Sequence, residues 1–291
     1  MADENGPLTR AVDENRPDVL RQLLEEGADP DERFMVTEDD GSLTPSWGQP
    51  LYQCARYGKP RMAEMLLEHG ADPNGQVYAS GTPLSEAYGQ RDEAMIALLV
   101  RYGGKPNASM AGLYRRKDLA LRLLEEHGDA VLPDDGFSKG TVAEQLVGGA
   151  AQGGDPEVMR LGMERVTWSE GDRRWFGPLF SCAGFWNHWI GPWCHLEWDR
   201  TGYLTCFRML LERTGPPVLQ GRNGWTILHR IADMGDHVWP AERVAFATAA
   251  LDAGARLDLQ DDAGMTALDL ARKKGRGELV ELFLARGGEA R

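Results

Sequence analysis

Apolar residues recur along this chain at helical spacing, and the recurrence is itself repeated. Val19 is followed by Leu23 and Leu24, and Met62 by Leu66 and Leu67. That spacing predicts helices with one apolar stripe, which must bury against a neighbour. Both helices run into a glycine, in LLEEGADPD at 23–31 and LLEHGADPN at 66–74. Looser copies occur at 98–107, 123–131, 250–258 and 282–289. Gly27, Gly70 and Gly254 fall where such a helix ends in a left-handed conformation, which glycine adopts at low cost. A second helix signal alternates with the first: QPLYQCA at 49–55, TPLSEA at 82–87, GPLFSCA at 177–183, TILHRIA at 226–232 and TALDLA at 266–271. Pro17, Pro60, Pro156 and Pro240 open the other helix in four of the pairs, because the first turn does not need the missing N–H.

This alternation resembles the ankyrin repeat, whose signature runs Asp-x-x-Gly-x-Thr-Pro-Leu-His-x-Ala, then Gly, then a Leu-Leu helix and Gly-Ala. The fullest copy spans Asp261 to Gly288, with Gly264, Thr266, Leu268, Ala271 and Gly287 in place. Gly224, Thr226, Leu228 and His229 match as well. The resemblance implies an all-α fold, an ankyrin-repeat solenoid of about eight helix–turn–helix repeats with hairpin-like loops. The repeats form a single array over 1–291, at roughly 7–48, 49–80, 81–107, 108–138, 139–176, 177–222, 223–262 and 263–291. The fourth and fifth match the signature poorly.

Three departures interrupt the pattern. The loop from Gly27 to Gln49 is about 10 residues too long and contains FMVTEDDGSLTPSW. The sixth repeat carries an insertion of roughly 16 residues between its helices, with WNHWIGPWCHLEWDR (186–200) at its centre. The seventh carries roughly 7 extra residues around MGDHVWP.

Composition sharpens this. The chain has nine Trp in 291 residues, six of them between Trp168 and Trp198. The Trp-rich insertion has two main readings: a small extra core, or a partner or ligand site lined by Trp186, Trp189, Trp193 and Trp198. A metal site is a third, since Cys182, His188, Cys194, His195 and Cys206 share one window, but no zinc-finger spacing is present. Cys182 and Cys54 occupy the buried small-residue position of the repeat, and Cys206 aligns with Met62, so packing explains those thiols. The net charge of −13 disfavours nucleic-acid binding, which needs a basic face. No secretory start and no membrane-length apolar run are visible, which points to a cytoplasmic protein with reduced thiols. No metal or cofactor is expected.

Candidate functional residues follow from the family geometry, in which partners meet the loop fingers and the first helices. Finger positions hold Trp47, Tyr78, Phe137, Arg173, Arg174, Trp175, Phe176, Arg222 and Trp225. The ends of first helices hold Arg56, Tyr57, Trp186 and Asp233. Trp, Tyr and Arg are the residue types enriched at binding hot spots. Gly89, Gly148, Gly149 and Gly184 lie near the inner ends of first helices, either for close helix packing or to leave a hollow walled by Phe137, Phe176, Trp186 and Trp225. Glu38, Asp39 and Asp40 form a solvated tip or a docking site for a basic partner.

Two functions compete. The first is a binding module that recognises a protein or peptide, basic or aromatic in character, through its concave face and loop fingers. The second is an ankyrin-fold enzyme or small-molecule binder with an aromatic pocket in the fourth to seventh repeats. Its candidate acid and base groups are His188, His195, Glu144, His229 and Asp233. No GxSxG, P-loop or HExxH motif is present. In the family, the position of His229 ties neighbouring loops together, and Glu144 and Asp269 occupy the same slot.

Overall fold

The computed structural model describes residues 6–32, 34–37, 43–46, 49–77, 81–131, 139–183 and 200–288. Among them, sixteen α-helices follow one another as eight pairs. They fall into two compact units, the first up to Pro106 and the second from Asn107 onward.

The first unit holds α1 (Pro7–Asp13), α2 (Pro17–Glu25), α3 (Gln49–Arg56), α4 (Pro60–Glu68), α5 (Pro83–Gln90) and α6 (Glu93–Arg101). The overlong first finger contains an antiparallel hairpin, β1 (Phe34–Thr37) with β2 (Leu43–Ser46), in the register Phe34 opposite Ser46. Helices α1, α3 and α5 pack side by side in one layer, and α2, α4 and α6 in the other. Leu8, Leu20, Leu51, Leu66, Leu84, Met95 and Leu99 fill the space between them and are almost fully buried. Each such side chain contributes about 1.5–3 kcal/mol relative to exposure.

The second unit repeats the plan. Its first helices are α7 (Ala108–Leu113), α9 (Val142–Gly153), α11 (Phe176–Cys182), α13 (Ile227–Ala232) and α15 (Ala267–Lys273). Its second helices are α8 (Lys117–His127), α10 (Pro156–Met163), α12 (Thr201–Thr214), α14 (Pro240–Asp252) and α16 (Gly277–Ala285). First helices again pack on first helices, and second on second.

Local sequence explains most helix boundaries. The expected prolines open α2, α4, α10 and α14, and Gly70 and Gly254 follow their helices at φ 92°. Four first helices begin with a capping box: Thr82 with Ser85, Thr141 with Glu144, Thr226 with His229, and Thr266 with Asp269. In each, the threonine takes one orphan N–H of the first turn and the partner side chain takes another.

Two expectations shift in phase or meaning. Helix α2 buries Leu20 and Leu24, and leaves Val19 and Leu23 only half-buried. Gly149 serves close packing: a Cβ there would stand 2.1 Å from the Ser109 carbonyl oxygen of α7. Gly112 meets the α9 backbone equally tightly, at 2.1 Å from the Ala150 nitrogen. A Cβ on Gly148, by contrast, would meet no heavy atom within 4 Å. Gly184 lies outside the described residues.

The extra loop of the seventh repeat is clamped by two arginines, one within α14 and one at the N-cap of α16. Arg243 donates to the Val238 carbonyl at 2.5 Å and pairs with Glu278 at 2.6 Å. Arg276 donates to the Met234 carbonyl at 2.8 Å and pairs with Asp236.

Candidate functional site

The finger that leads into α11 is built around two tryptophans. Trp168 meets Trp175 edge to face, with ring centroids 4.7 Å apart. Trp175, expected on the finger surface, is instead core: it is 2 % exposed and its indole N–H donates to the Ser169 carbonyl at 3.0 Å. Trp168 is half-buried and donates to Glu144 Oε1 at 2.6 Å. The Arg174 guanidinium lies over the Trp168 ring, 5.4 Å from its centroid. It also pairs with Asp172 at 2.7 Å and with Glu144 at 3.2 Å. Through that hydrogen bond Arg174 holds the Asp172 carboxyl below its usual range.

Glu144 therefore has both oxygens engaged, Oε1 by Trp168 and Arg174 and Oε2 by the Thr141 N–H at 2.9 Å. It builds a finger on the start of α9. His229 is fully buried. Its Nε2 faces the Met265 carbonyl at 2.9 Å, which can only accept, so Nε2 carries the proton. Its Nδ1 faces the Thr226 N–H at 3.2 Å and the Thr226 hydroxyl at 2.8 Å, and accepts. The neutral ring thus completes one capping box and ties α13 to the loop before α15. Asp233 pairs with Lys274 at 2.6 Å and more loosely with Arg230. Among the described residues, no hydrogen bond or ion pair joins the side chains of Glu144, His229 and Asp233 to one another; the Asp233 N–H donates to the His229 carbonyl at 3.0 Å as part of the helix end. His188 and His195 lie outside the described residues, as do Trp47, Tyr78, Phe137 and Trp186.

The remaining finger candidates cluster in the second unit. Arg173 and Arg222 are exposed, and Phe176 and Trp225 are half-buried. Phe176 stacks on Phe180 with centroids 4.1 Å apart. The next finger comes close to that ring at Gly221, where a Cβ would stand 2.4 Å from Phe176 Cε1. The Gly221 N–H closes the tip by donating to the Trp225 carbonyl at 2.8 Å. Arg222 and Trp225 thus belong to a turn whose base rests on Phe176. Between the two fingers lies an apolar cavity of about 120 Å³, lined mainly by Trp175, Phe176, Leu179, Pro216, Val218 and Ile227.

In the first unit, Arg56 and Tyr57 end α3 as expected. Tyr57 is 49 % exposed, with the Arg56 and Lys59 cations 5.6 and 5.2 Å from its ring centroid. Lys59 also caps the end of α1 at the Val12 carbonyl.

The three described cysteines are packing groups. Cys54, Cys182 and Cys206 are free and buried. Burial raises all three thiols, that of Cys206 to about 12. Cys194 lies outside the described residues.

The ankyrin repeat family model matches residues 49–76, the segment that folds as α3 and α4 with Pro60 and Gly70 at their expected places. The helix pairs on either side follow the same plan. The chain is an ankyrin-repeat protein. Ankyrin repeats are generally protein–protein interaction modules. Comparison with curated proteins returns no match. Among solved structures, the human ASB11 ankyrin repeat domain is similar at 20 % identity and a TM-score of 0.40, over 99 % of this chain and 100 % of that one. Among the described residues, no helix of this ankyrin-repeat protein is long and apolar enough to cross a membrane.

Proposed function

We propose that this ankyrin-repeat protein captures a protein or peptide partner through the loop fingers and first-helix ends of its second unit. The observation that carries the reading is the pair of fingers around Phe176. They present two exposed arginines, Arg173 and Arg222, beside the half-buried rings of Phe176 and Trp225. Arginine and aromatic side chains held together on rigid turns are what hot spots are made of. The acid and base candidates Glu144, His229 and Asp233 are engaged in holding repeats together, which favours binding over chemistry at these positions. The net charge of −13 alone suits a basic partner, whereas local charge decides what approaches the fingers. Three buried free thiols suit a reducing compartment such as the cytoplasm.

The test is affinity capture from the native host followed by mass spectrometry, with wild type, Trp225→Ala and Tyr57→Ala side by side. Trp225→Ala loses the captured partner while its melting temperature stays near that of wild type. Tyr57→Ala, in the first unit, retains it. Full capture by Trp225→Ala removes the second-unit fingers as the site.

A further inference from the structure

We propose that the cavity between the two second-unit fingers receives one apolar side chain of the partner, and that acidic residues beside that side chain pair with Arg173 and Arg222. This rests on the finger-binding reading above and narrows its partner to an acidic segment with an apolar anchor.

Size and lining argue for the anchor. At about 120 Å³, the cavity approaches the volume of engineered apolar cavities that take up benzene. One leucine or phenylalanine side chain is of that scale. The main walls are Trp175, Phe176, Leu179, Pro216, Val218 and Ile227, and no charged side chain lines it. Its one polar side chain, Thr214, already donates to the Gly215 carbonyl at 3.1 Å. A charged or strongly polar group would lose its water there with nothing to replace it. The cavity is reachable from outside, since Val218 is 43 % exposed.

Charge argues for the flanks. Arg173 directly precedes the wall residues Trp175 and Phe176, and Arg222 directly follows the turn base Gly221 that rests on Phe176. Among the described residues, neither guanidinium has a carboxylate partner, whereas Arg174 between them is saturated by Asp172 and Glu144. Two other carboxylates stand nearby: Glu170 of the first finger lies against Gly215, and Asp262, on the loop before α15, lies against Gly224. The patch is therefore mixed rather than uniformly basic. Two local ion pairs, one on each finger, fit it better than a broad acidic surface does. Such pairs steer and orient a partner, while the buried anchor supplies most of the affinity.

Selection of a random heptapeptide phage library on the full-length protein tests this. Wild type, Val218→Trp and the double variant R173E/R222E are run in parallel, and thermal melts confirm that each is folded. The substituted side chains lie wholly or partly in solvent, so folding is expected to survive. Wild type should enrich peptides that carry one Leu, Phe or Met flanked by Asp or Glu. Individual enriched peptides should bind about tenfold more weakly to Val218→Trp, which blocks the mouth, and to the charge-reversed variant. Enrichment of basic peptides, enrichment unchanged by either variant, or no enrichment on wild type overturns the proposal. If host-partner capture depends on Trp225 yet survives Val218→Trp and R173E/R222E, the finger reading stands and the anchor reading falls. If capture does not depend on Trp225, the finger reading falls by itself.

Discussion

His229 shows how much one side chain does in this stack. It closes the capping box of its own helix through Nδ1 and holds the next loop through Nε2. Alanine there would take the acceptor from the Thr226 N–H, leave the Met265 carbonyl with the Asp261 N–H alone and open a cavity, so His229→Ala should cost about 2–4 kcal/mol. Chemical denaturation reads that loss. A variant as stable as wild type would show that neither the cap nor the link to the next loop depends on this ring. The slot of His229 was legible in the sequence, because a box between residues three apart is a local matter. The cluster of Trp168, Arg174 and Glu144 was not. Its members are joined across 24 and 30 residues of chain, and no periodicity links them. The abundance of Trp was the available signal, and it did not separate buried Trp175 from half-buried Trp168.

At the scale of elements, adjacent glycines in α9 have opposite roles. Gly149 lies against the α7 backbone, while Gly148 faces open space. Gly149→Ala should therefore destabilise by about 1–3 kcal/mol through overpacking. Gly148→Ala should stabilise by up to about 1 kcal/mol through helix propensity. Thermal melts of the two variants should move in opposite directions; two losses of similar size would contradict the packing assigned to α9. Helix existence was readable from stripes, prolines and terminal glycines. Helix rotation was less so. In α2, Val19, Leu20, Leu23 and Leu24 offer two overlapping stripes, and contact with α4 rather than spacing selects Leu20 and Leu24. The overlong first finger was visible as excess length, but its strands follow from the antiparallel pairing of β1 with β2.

For the whole molecule, repeat periodicity gives the order of helix pairs but not where contact density falls, so the compact units below and above Asn107 emerge only from packing. Net charge behaves similarly: −13 is a sum, while Arg173 and Arg222, on the fingers that flank Phe176, have no carboxylate partner among the described residues. The central claim is that these fingers are where a partner sits. Hydrogen–deuterium exchange of the full chain, with and without its captured partner, tests that claim directly. The account predicts slowed exchange in peptides covering 166–176 and 216–226, with the second helices α12 and α14 unchanged. Protection confined to the second helices or to the first unit, with both finger peptides exchanging as in the free protein, would contradict it.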